Sequence, residues 1–212
     1  MNRRSSRNSV LLVHGIWDTG KIFHQMSSYL SSLGWSVYTL DLSPNNGDSP
    51  LEHLAEQVED FISRTFPRSM PLDLVGFSMG GIVSRYYVQR LGGLARVQRF
   101  ITLSSPHKGT WLAYGSYRPG CTQMRPDSQF LNQLNSELEQ LEQINFTSIW
   151  TPLDTMIIPA SSSQLPVGRS IPLLVPLHAQ MVTDIKSLSM VAEALKEPLR
   201  QSGEDLSLAK TV

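Results

Sequence analysis

The stretch Gly76-Phe77-Ser78-Met79-Gly80 decides how the rest of this chain is interpreted. It follows an apolar run, Leu72-Asp73-Leu74-Val75, that predicts a β-strand, and it precedes residues 81–88, which predict a helix. A serine between two glycines on a strand-to-helix turn is the pattern of a nucleophile elbow, whose tight turn projects the hydroxyl outward. Gly76 and Gly80 are needed there because side chains at these positions would collide with the backbone. Ser78 is therefore the candidate nucleophile.

The balance of charge argues against a nucleic-acid partner. Lys and Arg number 18, and Asp and Glu also number 18, so no net field attracts nucleic acid or an anionic membrane. The length of 212 residues suits one domain, 1–212, with a buried core. The single Cys121 cannot form an internal disulfide, and no Cys or His cluster has zinc spacing, so neither a metal nor another cofactor is expected.

The amino terminus bears on the expected location of the protein. Arg3, Arg4 and Arg7 precede an apolar run at 10–13 that is too short for the hydrophobic region of a secretory signal. No stretch of the chain approaches the ~18 apolar residues of a membrane span. We therefore expect a soluble, cytoplasmic protein.

Apolar runs that alternate with helical patterns define the predicted fold. Helical patterns lie between most of the predicted strands, one of them opened by Ser49 as N-cap and Pro50 at the first position. Such alternation implies parallel pairing with right-handed crossovers, hence an α/β protein with a doubly wound, mostly parallel sheet. Strands are predicted at 10–13, 37–40, 72–75, 97–103, 144–149 and 171–177, the last short and near an edge because prolines interrupt it.

Residues 107–143 break this alternation and are expected to form a short cap or lid-like insertion over the carboxyl edge of the sheet, where ligands bind in such folds. The first half is rich in Gly and Pro, and a helix capped by Asp127 or Ser128 follows. The apolar stripe of this helix favours core packing, with a role in an acyl pocket left open. Its residues are Phe130, Leu131, Leu134 and Leu138.

A serine hydroxyl needs a base within hydrogen-bond reach to act as a nucleophile at neutral pH. His178 directly follows the last predicted strand and so lies at the carboxyl edge of the sheet. His107 also follows a strand and is the second candidate. His14 is interpreted as part of a structural turn with Gly15.

The base in turn needs a carboxylate that fixes its tautomer and stabilises the imidazolium. Asp154 follows the strand before His178, which gives the order Ser78, Asp154, His178. This order is the one expected for a nucleophile elbow on a doubly wound sheet. Asp184 is the nearest rival, but its place at the start of the closing helix is explained by the helix dipole.

The oxyanion hole requires two N–H donors. One is expected from Met79, the residue after the nucleophile, and the other from the loop after the first strand. Gly15 lets the backbone pass close by, so the N–H of Ile16 is the expected second donor, with Trp17 as the alternative. No side-chain substitution removes a backbone donor.

The chain resembles the α/β-hydrolase superfamily, and within it the bacterial serine lipase and esterase group. The resemblance spans about residues 10–195, and the insertion 107–143 is short beside the large lids of many lipases. It is carried by five segments in order: Val13-His14-Gly15-Ile16-Trp17, Gly76-Phe77-Ser78-Met79-Gly80-Gly81, Ser105-Pro106-His107-Lys108-Gly109-Thr110, Asp154-Thr155-Met156-Ile157-Ile158-Pro159, and His178.

This resemblance implies hydrolysis of carboxylic esters, above all lipid acyl esters, through an acyl-enzyme. The expected partner is a small-molecule or lipid ester, with transient contact at a membrane surface left open. Trp17, Trp111 and Tyr114 are candidates for an apolar substrate site. The alternatives are a thioesterase or amidase with the same triad, and a catalytically silent scaffold used for binding.

Overall fold

Six parallel strands form one sheet in the computed structural model, which describes residues 7–199. The spatial order is β2-β1-β3-β4-β5-β6, so the chain winds outward in both directions from β1 and β3. The expected α/β class with a parallel, doubly wound sheet is confirmed. The strands are β1 (Ser9–Val13), β2 (Val37–Leu40), β3 (Leu72–Phe77), β4 (Val97–Leu103), β5 (Asn145–Trp150) and β6 (Arg169–Pro172).

Helices cover both faces of this sheet. The α-helices are α1 (His24–Ser32), α2 (Leu51–Thr65), α3 (Met79–Arg90), α4 (Pro119–Gln123), α5 (Gln129–Asn135) and α6 (Ile185–Ala194). Short 3₁₀ helices occupy Gly20–Phe23, Gly93–Ala95, Trp111–Gly115, Leu138–Gln143, Ala160–Ser163 and His178–Val182. One apolar cluster joins the sheet to α2, α3 and α5, and the other joins it to α1 and α6.

The alternation of side chains along β1 explains why the sheet is buried on both faces. Leu11 and Val13 belong to the cluster with α2 and α3, whereas Val10 and Leu12 belong to the cluster with α1 and α6. All four side chains are fully buried. Burial of one such side chain contributes about 1.5–3 kcal/mol, so a continuous aliphatic run is favoured at the centre of a parallel sheet.

Several element boundaries differ from those expected. Pro50 rather than Ser49 is the N-cap of α2, because the chain at Pro50 is still extended and Leu51 is the first helical residue. The last strand ends at Pro172, which leaves 173–177 outside the sheet. The closing helix begins only at Ile185, after a separate 3₁₀ turn that starts at His178. Arg3 and Arg4 of the basic amino terminus lie outside the described residues.

Residues 107–143 form short helices. Their assignment as a cap insertion over the carboxyl edge of the sheet stays a prediction. Ser128, not Asp127, caps α5, since its Oγ accepts the N–H of Leu131 at 3.2 Å. The predicted apolar stripe is divided between α5 and a 3₁₀ helix. Phe130, Leu131 and Leu134 belong to the buried core, and Leu138 packs against it.

A buried arginine holds the second half of this segment. The guanidinium of Arg85, on α3, donates hydrogen bonds to the carbonyl oxygen of Leu134 at 2.7 Å and to Oδ1 of Asn135 at 2.8 Å. It also bonds Gln89 Oε1 at 2.7 Å. Burial lowers the pKa of Arg85 to about 9. The end of α5 is thereby fixed to α3.

Candidate active site

The turn between β3 and α3 holds Ser78 in a strained backbone conformation. Ser78 has φ 53° and ψ −124°, a region that non-glycine residues rarely adopt. The turn is possible because a Cβ at Gly80 would collide with the carbonyl oxygens of Val13 and His14. Ser78 is the N-cap position of α3, so the positive end of the helix dipole lies behind it. Such an elbow presents the hydroxyl at the carboxyl edge of the sheet.

Asp154 and His178 are brought together from two separate loops at the same edge. The Nδ1 atom of His178 lies 2.8 Å and 3.0 Å from the two carboxylate oxygens of Asp154. Asp154 follows β5. Its carboxylate accepts hydrogen bonds from the N–H groups of Met156 and Ile157, each at 2.9 Å. His178 opens the 3₁₀ turn that follows β6. The side chain of Asp154 is 1% exposed, which shields the pair from water.

The carboxyl of Asp154 is held in its charged form. Burial by itself raises the pKa of this group, but the hydrogen bond and charge of His178 outweigh burial, with help from the N–H groups of Ile157 and Met156. The net result is a lowered pKa. An ionised Asp154 accepts a proton-bearing Nδ1, which leaves Nε2 of His178 free to accept a proton.

Ser78 and His178 form no hydrogen bond with each other. Among residues 7–199 no partner lies within 3.5 Å of Ser78 Oγ with hydrogen-bond geometry. The imidazole instead packs against the ring of Phe77, with centroids 4.8 Å apart. Catalytic hydrogen bonds are often long before substrate binds, so a Ser78 hydroxyl without a hydrogen bond to His178 is compatible with a triad.

The rival residues have other tasks. His107 is fully buried, and its Nε2 bonds Thr102 Oγ1 at 3.0 Å, so it lies in the core out of reach of a substrate. Asp184 caps α6, where its carboxylate accepts the N–H of Lys186 at 2.8 Å. His14 is also buried, with Nδ1 2.8 Å from the carbonyl of Gly15, which supports the structural role expected for it.

Two backbone donors remain available for an oxyanion. The N–H of Met79 is at the first position of α3 and has no partner within the helix. The N–H of Ile16 has no acceptor among the described residues, whereas the N–H of Trp17 donates to the carbonyl of Asn45 at 2.8 Å. The alternative donor Trp17 is therefore occupied, and Ile16 with Met79 stays the predicted pair.

A cavity of about 480 Å³ opens beside Ser78. Trp17 lines it, but Trp111 and Tyr114 do not: their rings stack on one another, with centroids 5.5 Å apart, and remain exposed. A substrate-binding role for Trp111 and Tyr114 therefore stays a prediction. The other residues that line the cavity were not predicted, because they come from two segments with no periodic pattern. They are Pro106, Thr110, Leu112, Ala113, Gly115, Ser116, Arg118, Cys121, Met124, Met156 and Ile157, together with Ile16.

Neither a metal cluster nor a membrane-spanning helix is found in the part of the chain that the structure describes. No three His, Cys, Asp or Glu side chains in residues 7–199 are arranged to hold a metal ion. No helix in the same range is long and apolar enough to cross a bilayer.

A family model described as palmitoyl protein thioesterase matches residues 9–125, more than half of the chain. The chain belongs to the palmitoyl protein thioesterase family. The matched part of this family member runs from β1 to the end of α4 and contains Ile16, Ser78 and Met79. Asp154 and His178 lie beyond it, so their assignment depends on the geometry described above.

Curated relatives carry both thioesterase and lipase names. Human "Lysosomal thioesterase PPT2" is 32% identical over 114 residues, which cover 51% of this chain and 37% of the human protein. A "Triacylglycerol lipase" of Pseudarthrobacter phenanthrenivorans is 29% identical over 117 residues, which cover 51% of this chain and 36% of that lipase. The family member described here thus aligns with little more than a third of the length of these relatives.

Solved structures resemble the chain over nearly its whole length. Mature lipase BlEst2 of Bacillus licheniformis superimposes with a TM-score of 0.74 at 14% identity, covering 92% of this chain and 94% of the lipase. Lipase B of Aspergillus fumigatus gives a TM-score of 0.77 at 18% identity, covering 98% of this chain and 57% of that structure. These likenesses establish the α/β-hydrolase fold of this family member.

Proposed function

We propose that this protein is a serine hydrolase that cleaves carboxylic esters, with acyl esters of lipids as the preferred class. The observation that carries the proposal is the contact of His178 Nδ1 with both oxygens of Asp154, at 2.8 and 3.0 Å, on the edge of the sheet where Ser78 sits. A buried carboxylate behind an imidazole beside a strained serine is the arrangement that activates a hydroxyl for acyl transfer. The thioesterase and lipase names among the relatives support the same class.

The first half of the reaction forms an acyl-enzyme. Ser78 Oγ attacks the ester carbonyl while Nε2 of His178 takes the hydroxyl proton. Negative charge develops on the former carbonyl oxygen, and the N–H groups of Ile16 and Met79 stabilise it. Collapse of this intermediate breaks the bond to the alcohol, which leaves with the proton held by His178.

The second half releases the acid. Water enters on the side that the alcohol has left, and His178 removes a proton from it. The same two N–H groups stabilise the second oxyanion. When this intermediate collapses, the proton returns to Ser78 Oγ and the carboxylic acid departs. Asp154 stays ionised throughout and stabilises the imidazolium of His178 in both halves.

The apolar cavity supplies a place for the acyl chain. It reaches Ser78 at one end, and side chains such as Leu112, Ala113, Met124 and Met156 form its wall. Each methylene buried in such a wall contributes about 0.8 kcal/mol, so substrates with longer chains gain affinity until the cavity is full. We therefore propose acyl chains of lipid type over short acyl groups.

Thioester hydrolysis is the second candidate, because the family model is that of palmitoyl protein thioesterases. The same triad cleaves both bonds, and a thiolate leaves more readily than an alkoxide. Hydrolysis of palmitoyl oxygen esters, thioesters and amides with matched leaving groups separates the three reactions. A kcat/KM for the thioester above that for the ester would assign the thioesterase alternative, and amide cleavage would assign the amidase.

The direct test of the proposed class compares wild-type protein with Ser78→Ala on p-nitrophenyl esters of increasing chain length. We expect turnover that falls to the uncatalysed background in the variant, with an unchanged circular dichroism spectrum. Equal turnover in both proteins would refute Ser78 as the nucleophile. Absence of turnover in folded wild-type protein on esters, thioesters and amides would favour the catalytically silent scaffold.

Transient contact with a membrane surface forms part of the proposal. Trp17 and Leu112, which line the cavity, are exposed apolar side chains. Three further exposed aromatic side chains belong to the same segment as Leu112: Trp111, Tyr114 and Tyr117, of which Tyr117 is 90% exposed. Aromatic side chains favour the interfacial region of bilayers. Trp111→Ser should weaken flotation with phosphatidylcholine vesicles, while Met70→Ser, on the loop before β3 at the opposite edge, should not. Equal flotation of both variants would refute this surface.

The cytoplasmic location expected from the sequence also stays a proposal. Its support is that the one cysteine, Cys121, is a free and buried thiol, which is compatible with a reducing compartment. The human relative is named as lysosomal, so the two locations compete. Fractionation of the native host, with antibody detection of the full-length protein, decides between them. Recovery outside the cytoplasmic fraction would refute the proposal.

A further inference from the structure

A second carboxylate lies beside the candidate nucleophile. A Cβ placed on Gly15 would be 3.0 Å from Ser78 Cβ, 3.5 Å from the ring of Phe77 and 3.4 Å from Oδ2 of Asp18. The Asp18 carboxylate and Ser78 Cβ therefore both lie within 3.4 Å of the same point beside Gly15. Asp18 belongs to the loop after β1, which also provides the N–H of Ile16.

This carboxylate has no structural task that would explain its position. The backbone of Asp18 is engaged, since its N–H donates to Gly15 and its carbonyl accepts the side chain of Asn45. Its side chain forms neither a hydrogen bond nor an ion pair with any of the residues 7–199. Burial raises the pKa of Asp18, an effect that the nearby His14 and His178 partly offset. The carboxylate is thus poorly solvated, and its charge is weakly screened.

Asp18 interacts electrostatically with His178, the group that protonates the leaving group. The acyl cavity is lined by Ile16, Trp17 and Ser78 and by residues within 106–124 and 156–157, whereas Asp18, Asp154 and His178 do not line it. His178 gives its proton to the leaving group, which must therefore be on the imidazole side. Asp18 borders Gly15 together with Phe77, and the ring of Phe77 packs against that of His178.

Two other charged side chains near the nucleophile are paired. Asp154 is paired with His178 at 2.8 Å. Arg118, which lines the acyl cavity, is paired with Asp48 at 3.3 Å. Asp18 therefore offers a leaving group a carboxylate that has no hydrogen bond or ion pair within residues 7–199. A unit charge roughly 6 to 12 Å away, at the effective dielectric of about 20 near a protein surface, changes binding by roughly 10- to 100-fold.

We propose that Asp18 selects the leaving group by charge, so that esters of cationic or neutral alcohols and thiols are cleaved in preference to esters of anionic ones. The inference rests on the proposed hydrolase function and adds a substrate class to it. Leaving groups that carry an ammonium or a flanking basic side chain are favoured. Leaving groups that carry a phosphate or sulfonate close to the scissile bond are disfavoured.

Three butyryl esters with the same acyl group test this preference: those of choline, of 3,3-dimethylbutanol and of 2-hydroxyethanesulfonate. The first two alcohols have nearly the same shape and differ in charge. We expect the ratio of kcat/KM for the choline ester to that for the sulfonate ester to fall about tenfold or more in Asp18→Asn, and salt to reduce the ratio in the wild type. Intrinsic reactivity of the esters cancels, because both proteins receive the same set.

Asp60→Asn is the matched control, since it removes the same charge from an exposed ion pair on α2. That variant should keep the wild-type ratio. An unchanged ratio in Asp18→Asn, or an equal loss on all three esters, would overturn the proposal. Failure of the hydrolase function itself would look different: the wild type would cleave none of the esters, and Ser78 would resist a fluorophosphonate probe.

Discussion

The ring of His178 packs against the ring of Phe77, with centroids 4.8 Å apart and an angle of 35° between the planes. Phe77 is the last residue of β3 and directly precedes Ser78, so one residue places the candidate base relative to the candidate nucleophile. Phe77 is 2% exposed and belongs to the core cluster with α1 and α6. The core thereby fixes one face of the imidazole, while Asp154 fixes its Nδ1.

Phe77→Leu should lower kcat by about tenfold with a small change in KM, because the imidazole loses a flat partner and samples unproductive orientations. Phe100→Leu is the control: Phe100 is also buried, but it packs against Phe146 with centroids 5.4 Å apart. Both variants should lose on the order of 1 kcal/mol of stability. Steady-state kinetics and urea unfolding measure the two effects. An equal fall of kcat in both variants would contradict a positioning role for Phe77.

Asp154→Asn should reduce kcat by roughly 10⁴-fold, the scale observed when the acid of such a triad becomes an amide. An amide that donates to Nδ1 favours the tautomer whose Nε2 already carries a proton, so His178 cannot accept one from Ser78. Asp184→Asn should keep full activity, since Asn is as good an N-cap as Asp. Kinetics with p-nitrophenyl butyrate measure both. Wild-type kcat in Asp154→Asn would exclude that residue as the acid.

The hydrogen-bonded carboxylate of Asp154 should also appear in the pH dependence of stability. The pKa of Asp154 is lowered from its ordinary value of 3.8, so the native state favours the ionised form. The stabilisation is therefore present above the pKa of the unfolded chain and is lost as pH falls through the lower native pKa. The difference in unfolding free energy between wild type and Asp154→Asn should shrink from pH 6 to pH 3. A difference that grows over this range would contradict the lowered pKa.

Filling the cavity should change the preference for acyl chain length. Ala113 is buried in the cavity wall, and a phenyl group at this position would take space from the chain. Each excluded methylene costs about fourfold in kcat/KM, so Ala113→Phe should lose on the order of 100-fold on palmitoyl relative to butyryl esters. Ala95→Phe, exposed and before β4 at the opposite edge, should leave the profile unchanged. Parallel losses on both chain lengths would place the acyl chain elsewhere.

The sequence alone predicted the sheet and the elbow well, because both depend on local patterns. Five of the six strands were predicted nearly in place, since aliphatic runs such as that of β1 have few alternatives to a buried strand. The boundary of α2 was wrong by one residue, because Pro50 fits a cap and a first turn almost equally. The N–H of Trp17 is occupied by the carbonyl of Asn45, on a loop distant in sequence. No local pattern therefore shows that Ile16, rather than Trp17, keeps an N–H without an acceptor among the described residues.

The walls of the cavity could not be predicted for a similar reason. Cys121 and Met124 come from α4 and its end, and Met156 and Ile157 come from the loop that also holds Asp154. These residues meet only after the sheet has formed, and neither segment has a period that marks its inner face. The stacking of Trp111 on Tyr114 was not predicted either, because aromatic residue types do not show which ring each one contacts.

Labelling with a fluorophosphonate probe tests the central claim most directly, because the probe reacts with a serine only when a base and an oxyanion hole activate it. The account predicts one probe molecule per protein, attached to Ser78 by peptide mass spectrometry, with no labelling of Ser78→Ala and strongly reduced labelling of His178→Ala. Folded wild-type protein that stays unlabelled, or that is labelled at another serine, would contradict it.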